Sequence, residues 1–174
     1  MQKKLGNNVP EIIAILAQMK TDADDSVQHI RDTVWSINPD NDTLEKLIEK
    51  THAFALQLLT SNDISVSFIN EILPENMPKL SMEQRRNIYL IVKEAINNIA
   101  KHSDASKVSI NISRTQYGIY WLIKDNGKGF DEKEVFEGNG LKNFKKRANE
   151  GDMNLTISSK IGEGTTLEVL IQLG

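Results

Sequence analysis

The sequence predicts an α+β chain: helices alone over residues 1–60, then over 61–174 an α/β sandwich with a mixed sheet of about five strands and helices on one face. Three observations lead there. Apolar residues recur at three- and four-residue steps through the first third of the chain. From Ile64 onward, short runs alternate apolar with polar residues, as half-buried strands do. Between those runs lie helix-like stretches with their own start and stop signals.

In the first helix Leu5, Val9, Ile12, Ile13, Leu16 and Met19 share a face, and after Thr21-Asp-Ala-Asp-Asp25 so do Val27, Ile30, Val34 and Ile37 of a second. The polar run between them reads as the turn of a helical hairpin. Pro10 leaves two starts open: Asn8-Val-Pro-Glu11 as a cap with proline in the first turn, or an earlier start from Leu5 with a kink. The second helix should stop at Asn38, because Pro39 disfavours the α conformation of its predecessor. Asp42-Thr-Leu-Glu45 has the spacing of a capping box and opens a third helix to Leu59. A hairpin this small cannot bury its apolar stripes alone. It is expected to form a homodimer through the N-terminal helices as a four-helix bundle; packing on the chain's own α/β part is the alternative.

Ile64, Val66 and Phe68 alternate with Ser65 and Ser67 in the first strand. Ser81-Met-Glu-Gln84 is a second capping-box signal, opening a helix to His102. Val108–Ile112 and Ile119–Ile123 form a hairpin turned near Gln116-Tyr-Gly118. A short helix runs from Leu141 to Glu150 and is ended by Gly151. Strands at Leu155–Ile157 and Leu167–Leu173 complete the sheet.

Bulk composition narrows the function. With 174 residues and 39% hydrophobic content the chain can bury a core. A formal charge of -3 provides no basic field for nucleic acid, which is not expected as a partner. The absence of cysteine rules out a disulfide or a thiolate zinc site and fits a cytoplasmic setting. The longest apolar run, Ile12–Ala17, is too short for a bilayer, so no membrane segment is expected in this chain.

Chemistry concentrates on the long helix and the turns after it. Ile88, Val92, Ala95 and Ile99 form its core stripe, and at about 100° per residue Glu94, Asn98, Lys101 and His102 cluster on the adjoining face. A carboxylate and a carboxamide oxygen are hard ligands of the kind magnesium accepts; taken alone, the set is equally a solvated face. Asp125-Asn-Gly127-Lys-Gly129 follows an apolar strand, either as an ordinary turn or as a carboxylate awaiting a hydrogen-bond donor. Gly138-Asn-Gly140-Leu141 starts a helix bearing Lys142, Lys145, Lys146 and Arg147, so its free amides suit phosphate oxygens if it is more than a loop. Gly162-Glu-Gly164-Thr165-Thr166 leads into the last strand, with glycine permitting close approach and threonine offering a hydroxyl.

In this fixed order the four segments resemble the motifs of the GHKL ATPase superfamily. The helix resembles its N box, Asp125–Gly129 its G1 box, Gly138–Leu141 its G2 box, and Gly164-Thr165 its terminal motif. Upstream, Thr33-Val-Trp35-Ser-Ile-Asn38-Pro39 resembles the sensor histidine kinases of the nitrate-sensor and desaturase-sensor type. The resemblance implies a Bergerat-type ATP-binding catalytic domain over 61–174 and a dimerisation and phosphotransfer-like domain over 1–60. It further implies ATP and Mg2+ as cofactors, and a response-regulator receiver domain as partner. Asn98 would bind the magnesium, Glu94 would orient or activate the phosphate acceptor, and Lys101 and His102 would lie near the phosphates. Asp125 would accept the adenine amino group, with Thr165, or else Thr166, completing the contact; Gly127, Gly129, Gly138, Gly140 and Leu141 would shape the nucleotide site.

One departure stands out. The family places an acceptor histidine and an acidic residue shortly before a Leu-Gly or Val-Gly pair, and counting back from Leu5-Gly6 finds Gln2 and Lys3 instead. An amide cannot serve as the nitrogen nucleophile, so self-phosphorylation is not expected. His29 and His52 lack the signature, and His102 belongs to the nucleotide face. The resemblance thus implies the core of a two-component sensor kinase, of the kind that forms the cytoplasmic part of a membrane-anchored sensor. The competing functions are a non-catalytic nucleotide-dependent interaction module and a GHKL protein serine kinase.

Overall fold

The computed structural model of the protein describes residues 9–38, 43–131 and 139–173. The chain divides into two compact units, Met1–Asn38 and Pro39–Gly174.

The first unit is one continuous helix, α1 (Val9–Ile37, 29 residues), where a hairpin was expected. Thr21–Asp25 contains neither glycine nor proline, and Thr and Asp cost a helix only about half a kcal/mol each. Asp22 is also used within the helix: Gln18 Nε2 donates to its Oδ1 at 2.8 Å and Ser26 Oγ to its carbonyl at 2.7 Å. The two expected apolar stripes therefore join through Ala23 into one. Ile12, Leu16, Met19, Val27, Ile30 and Val34 along it are all exposed. The helix ends where Pro39 required, with the Asn38 amide donating to the Trp35 carbonyl.

The second unit begins with α2 (Leu44–Thr60), capped by the Thr43 hydroxyl, which accepts from the Lys46 amide at 3.3 Å. Asp42, expected to cap it, lies outside the described residues. Leu44, Leu47, Ile48, Ala55 and Leu59 of this helix are buried. His52 stacks on Phe68, and the Lys50 ammonium sits over the Tyr89 ring. The helix thus belongs to the α/β unit, and the division falls near residue 38, where 60 was expected. A 3.6-residue period announces an apolar face without saying what it packs on.

Strand β1 (Ser65–Asn70) leads through a short 3₁₀ turn (Pro74–Asn76) to α3 (Met82–His102). Both halves of the expected capping box are present: Gln84 N donates to Ser81 Oγ at 3.0 Å, and Ser81 N to Gln84 Oε1 at 2.9 Å. Strands β2 (Lys107–Thr115) and β3 (Gly118–Asp125) form the expected hairpin; α4 (Asn139–Glu150), β4 (Met153–Lys160) and β5 (Gly164–Gln172) follow. The sheet order is β1-β2-β3-β5-β4, with β1 parallel to β2 and the other pairs antiparallel. Ile110, Ile112, Ile119, Trp121, Ile123, Val169 and Ile171 on one sheet face, with Ile88, Ile91, Val92 and Ile96 of α3, make the core. No helix among the described residues is long and apolar enough to cross a membrane.

Candidate functional site

Strand alternation places the central carboxylate. Ile119, Trp121 and Ile123 of β3 point into the core, so Asp125, two residues on, points the same way and is only 3% exposed. Its Oδ1 accepts the Gly127 amide at 2.8 Å, and the Thr165 amide also donates to the carboxylate. Burial raises its pKa above the usual carboxylate range, and the two amide hydrogen bonds only partly oppose this. The two amides occupy only part of the roughly four acceptor positions of a carboxylate, which leaves room for a ligand donor.

It faces a pocket of about 70 Å³ lined by Ala95, Asn98 and Ile99 of α3, Ile123, Phe130, Leu141 and Phe144 of α4, Ile157, Thr165 and Leu167. One wall is otherwise apolar, while Asp125, Thr165 and Asn98 supply polar atoms. An adjoining depression of similar volume is lined by Asn98, Ile99, His102, Ser103, Asp125, Gly129, Phe130 and Thr165. A flat, apolar-faced ligand with a hydrogen-bond donor at its edge suits this arrangement.

Main-chain contacts hold the turns together. The Lys128 amide donates to the Ser103 carbonyl at the end of α3, and the Gly162 amide donates to the Lys128 carbonyl, both at 2.7 Å. Asn126 Oδ1 accepts from the Ser106 and Lys107 amides at 3.0 and 2.8 Å, pinning the turn to the start of β2. At Gly127 an added Cβ would lie 2.3 Å from the Ser103 carbonyl oxygen, and at Gly164, with φ +83°, 2.1 Å from that of Asp125. These two glycines permit the close approach of three segments.

The structure brings together Asn98, His102, Asp125, Gly129, Leu141 and Thr165, while Gly127 shapes the turn behind them. Glu94 is half-buried one turn before Asn98, and Lys101 is exposed; neither lines the two depressions. Gly140 lies in the first turn of α4, and Gly138, like Gln2, is outside the described residues. Thr166 is not part of the pocket: it pairs with Lys124 on the opposite sheet face, because side chains alternate and Thr165 and Leu167 take the pocket side.

Sequence reasoning missed Ser159, Asn126 and the role of Arg147. Ser159 stands opposite Thr165 on β4 and accepts the Phe130 amide at 3.0 Å. The Arg147 guanidinium has its pKa lowered by burial and by the nearby Arg86 charge, with Glu94 and Glu150 acting in the opposite sense. Their pairing depends on register and helix packing; for Ser159, counting back from the Gly162–Gly164 turn would have revealed it.

The family model for "Histidine kinase-, DNA gyrase B-, and HSP90-like ATPase" matches residues 83–174, more than half of the chain. Among curated relatives, the signal transduction histidine-protein kinase/phosphatase DegS of Bacillus subtilis is 36% identical over 90 residues, covering 49% of this chain and 23% of that protein. Sensor protein VraS of Staphylococcus epidermidis is 35% identical over 107 residues, 61% of this chain and 30% of that one. The chain thus spans less than a third of the length of either. Among solved structures, the Acinetobacter baumannii histidine kinase AdeS has a TM-score of 0.65 at 15% identity, covering 94% of this chain and 84% of that one. The histidine kinase domain of the Erythrobacter litoralis EL346 blue-light activated histidine kinase has a TM-score of 0.61 at 20% identity, with 73% and 61% covered. These likenesses establish the mixed-sheet fold. With the family match over α3, the glycine turns and both terminal strands, the chain belongs to the histidine kinase-, DNA gyrase B- and HSP90-like ATPases.

Proposed function

We propose that the α/β unit binds ATP with magnesium and donates the γ-phosphate to a histidine, from which it passes to the receiver domain of a response regulator. The observation that carries this reading is the buried Asp125 carboxylate at the polar edge of an apolar pocket. Adenine offers an amino donor to that carboxylate and flat faces to Ile99, Phe130 and Leu141. Guanine would turn a carbonyl oxygen toward it and be repelled. Thr165 completes the contact, directly or through one water.

Asn98 lines both depressions, which supports it as a residue that reaches from the base toward the phosphates. Among the described residues no group of three or more His, Cys, Asp or Glu could hold a metal ion. Asn98 would hold a magnesium ion through its carboxamide oxygen, the kind of hard ligand such an ion accepts while keeping several waters. That ion would supply charge neutralisation at the transferring phosphate. Glu94 orients or activates the acceptor, and Lys101, His102, Gly138 and Gly140 attend the phosphates. Residues before Pro39 serve dimerisation through the exposed stripe of α1, in a phosphotransfer-like domain. The cytoplasm is the setting that supplies ATP and the regulator.

Gln2 and Lys3 stand where the resemblance puts the acceptor pair, so the donor reading is tested with a histidine supplied in trans. Incubation with γ-labelled ATP and an added histidine-bearing bundle tests this. Acid-labile label on the bundle, absent with Asp125→Ala, is the expected result. Acid-stable label on serine would indicate a serine kinase, and nucleotide binding without transfer an interaction module; either refutes the donor reading.

A further inference from the structure

Ser159 is the junction of the site's hydrogen bonds. On β4 it follows Ile157 on the pocket side and is the direct cross-strand partner of Thr165. Its hydroxyl accepts the Phe130 amide at 3.0 Å, is placed to donate to the Gly164 carbonyl at 3.1 Å, and lies 3.0 Å from Thr165 Oγ1, where either oxygen can donate. A serine hydroxyl has one proton to give. If that proton goes to Gly164, Thr165 must donate to Ser159 and turns only lone pairs toward the pocket. If it goes to Thr165, the Thr165 proton is left for a ligand.

The two arrangements suit different purines. Adenine's edge carries an amino donor beside N1, an acceptor; guanine's carries an acceptor beside an N1–H donor. With Asp125 accepting the amino group, the neighbouring position calls for a donor. We propose that Ser159 is a specificity-determining positioning residue, which delivers its proton to Thr165 Oγ1 and so aims the Thr165 proton at adenine N1, directly or through one water. This rests on the adenine reading above. Because Ser159 also accepts from Phe130, it ties that polarity to the backbone of a pocket-wall residue.

The test compares ATP with 1-deaza-ATP, which has C–H in place of N1, by calorimetry. The wild-type chain should bind 1-deaza-ATP about three- to tenfold more weakly, the worth of one neutral hydrogen bond. In Ser159→Ala that ratio should fall toward one, and Ser159→Thr, which keeps the hydroxyl, should restore it. Equal affinities for the two nucleotides in the wild type would overturn the proposal without any variant. So would a Ser159→Ala protein that loses affinity for both by the same factor, the signature of a residue that merely braces the hairpin. Asp125→Ala, measured alongside, separates the failures: unchanged ATP affinity there sinks the adenine reading itself, whereas a loss there with an unaltered ratio in Ser159→Ala sinks only the role of Ser159.

Discussion

Replacing Asp125 by Asn should separate binding from stability. The carboxylate is almost fully buried and receives two backbone amides, so a ligand donor completes its coordination. A hydrogen bond to a charged group contributes about 1.5–3 kcal/mol, and its loss should weaken ATP binding roughly ten- to a hundredfold. An amide retaining its oxygen toward the Gly127 amide would also set its own N–H groups against the adenine amino group. Stability should respond with the opposite sign as pH rises. The folded-state pKa of Asp125 is raised, so its contribution is fully present below the unfolded pKa and is lost as pH rises through the folded value. The uncharged variant loses nothing in that window, and its Tm relative to wild type should climb with pH until Asp125 is fully ionised. Nucleotide affinity by calorimetry and Tm by circular dichroism across that range are the assays. A folded variant with unchanged affinity would refute the binding argument; a Tm difference independent of pH would refute the electrostatic one.

Gly164→Ala should destabilise the fold by about 2–5 kcal/mol in urea titration, since it adds left-handed strain to a 2.1 Å contact with the Asp125 carbonyl oxygen. Gly162→Ala has a similar φ of +82° but open space around it, so it should cost only about 1–2 kcal/mol, and equal losses would contradict the clash. Asn98→Ala should reduce the magnesium dependence of ATP binding; an unchanged ratio of affinities with and without the ion would exclude it as ligand. Glu in place of Leu16 and Ile30, both exposed on α1, should convert a dimer to a monomer in light scattering, and a wild-type monomer at high concentration would remove the dimerisation role.

Local chemistry made much of the α/β unit legible. Ser81 and Gln84 announced the start of α3 because both capping bonds lie within four residues. The alternation ending at Asp125 placed a carboxylate at a strand end, and the glycine spacing marked the turns around it. Long-range packing was less visible. The period of α2 gave its buried face but not its partner, and Thr21–Asp25 carried turn-like residues that a long helix accommodates at small cost. Thr165 and Thr166 could not be told apart until the strand pairing assigned one to each face. Ser159 escaped for the same reason, since its chemistry lies across the hairpin.

The contacts that join the end of α3, the Asp125 turn and the β4–β5 turn run from the Lys128 amide to the Ser103 carbonyl and from the Gly162 amide to the Lys128 carbonyl. Every atom in that chain is main chain. Such a clasp has no preference for the side chain at 128, so drift there leaves the spacing of the pocket walls intact. The Ser103 hydroxyl, by contrast, also closes the end of α3, donating to the Ile99 carbonyl and accepting from the Ala105 amide. The letters around the site can diverge while the distances between its parts are inherited, and selection needs to guard only the few positions where a Cβ has no room.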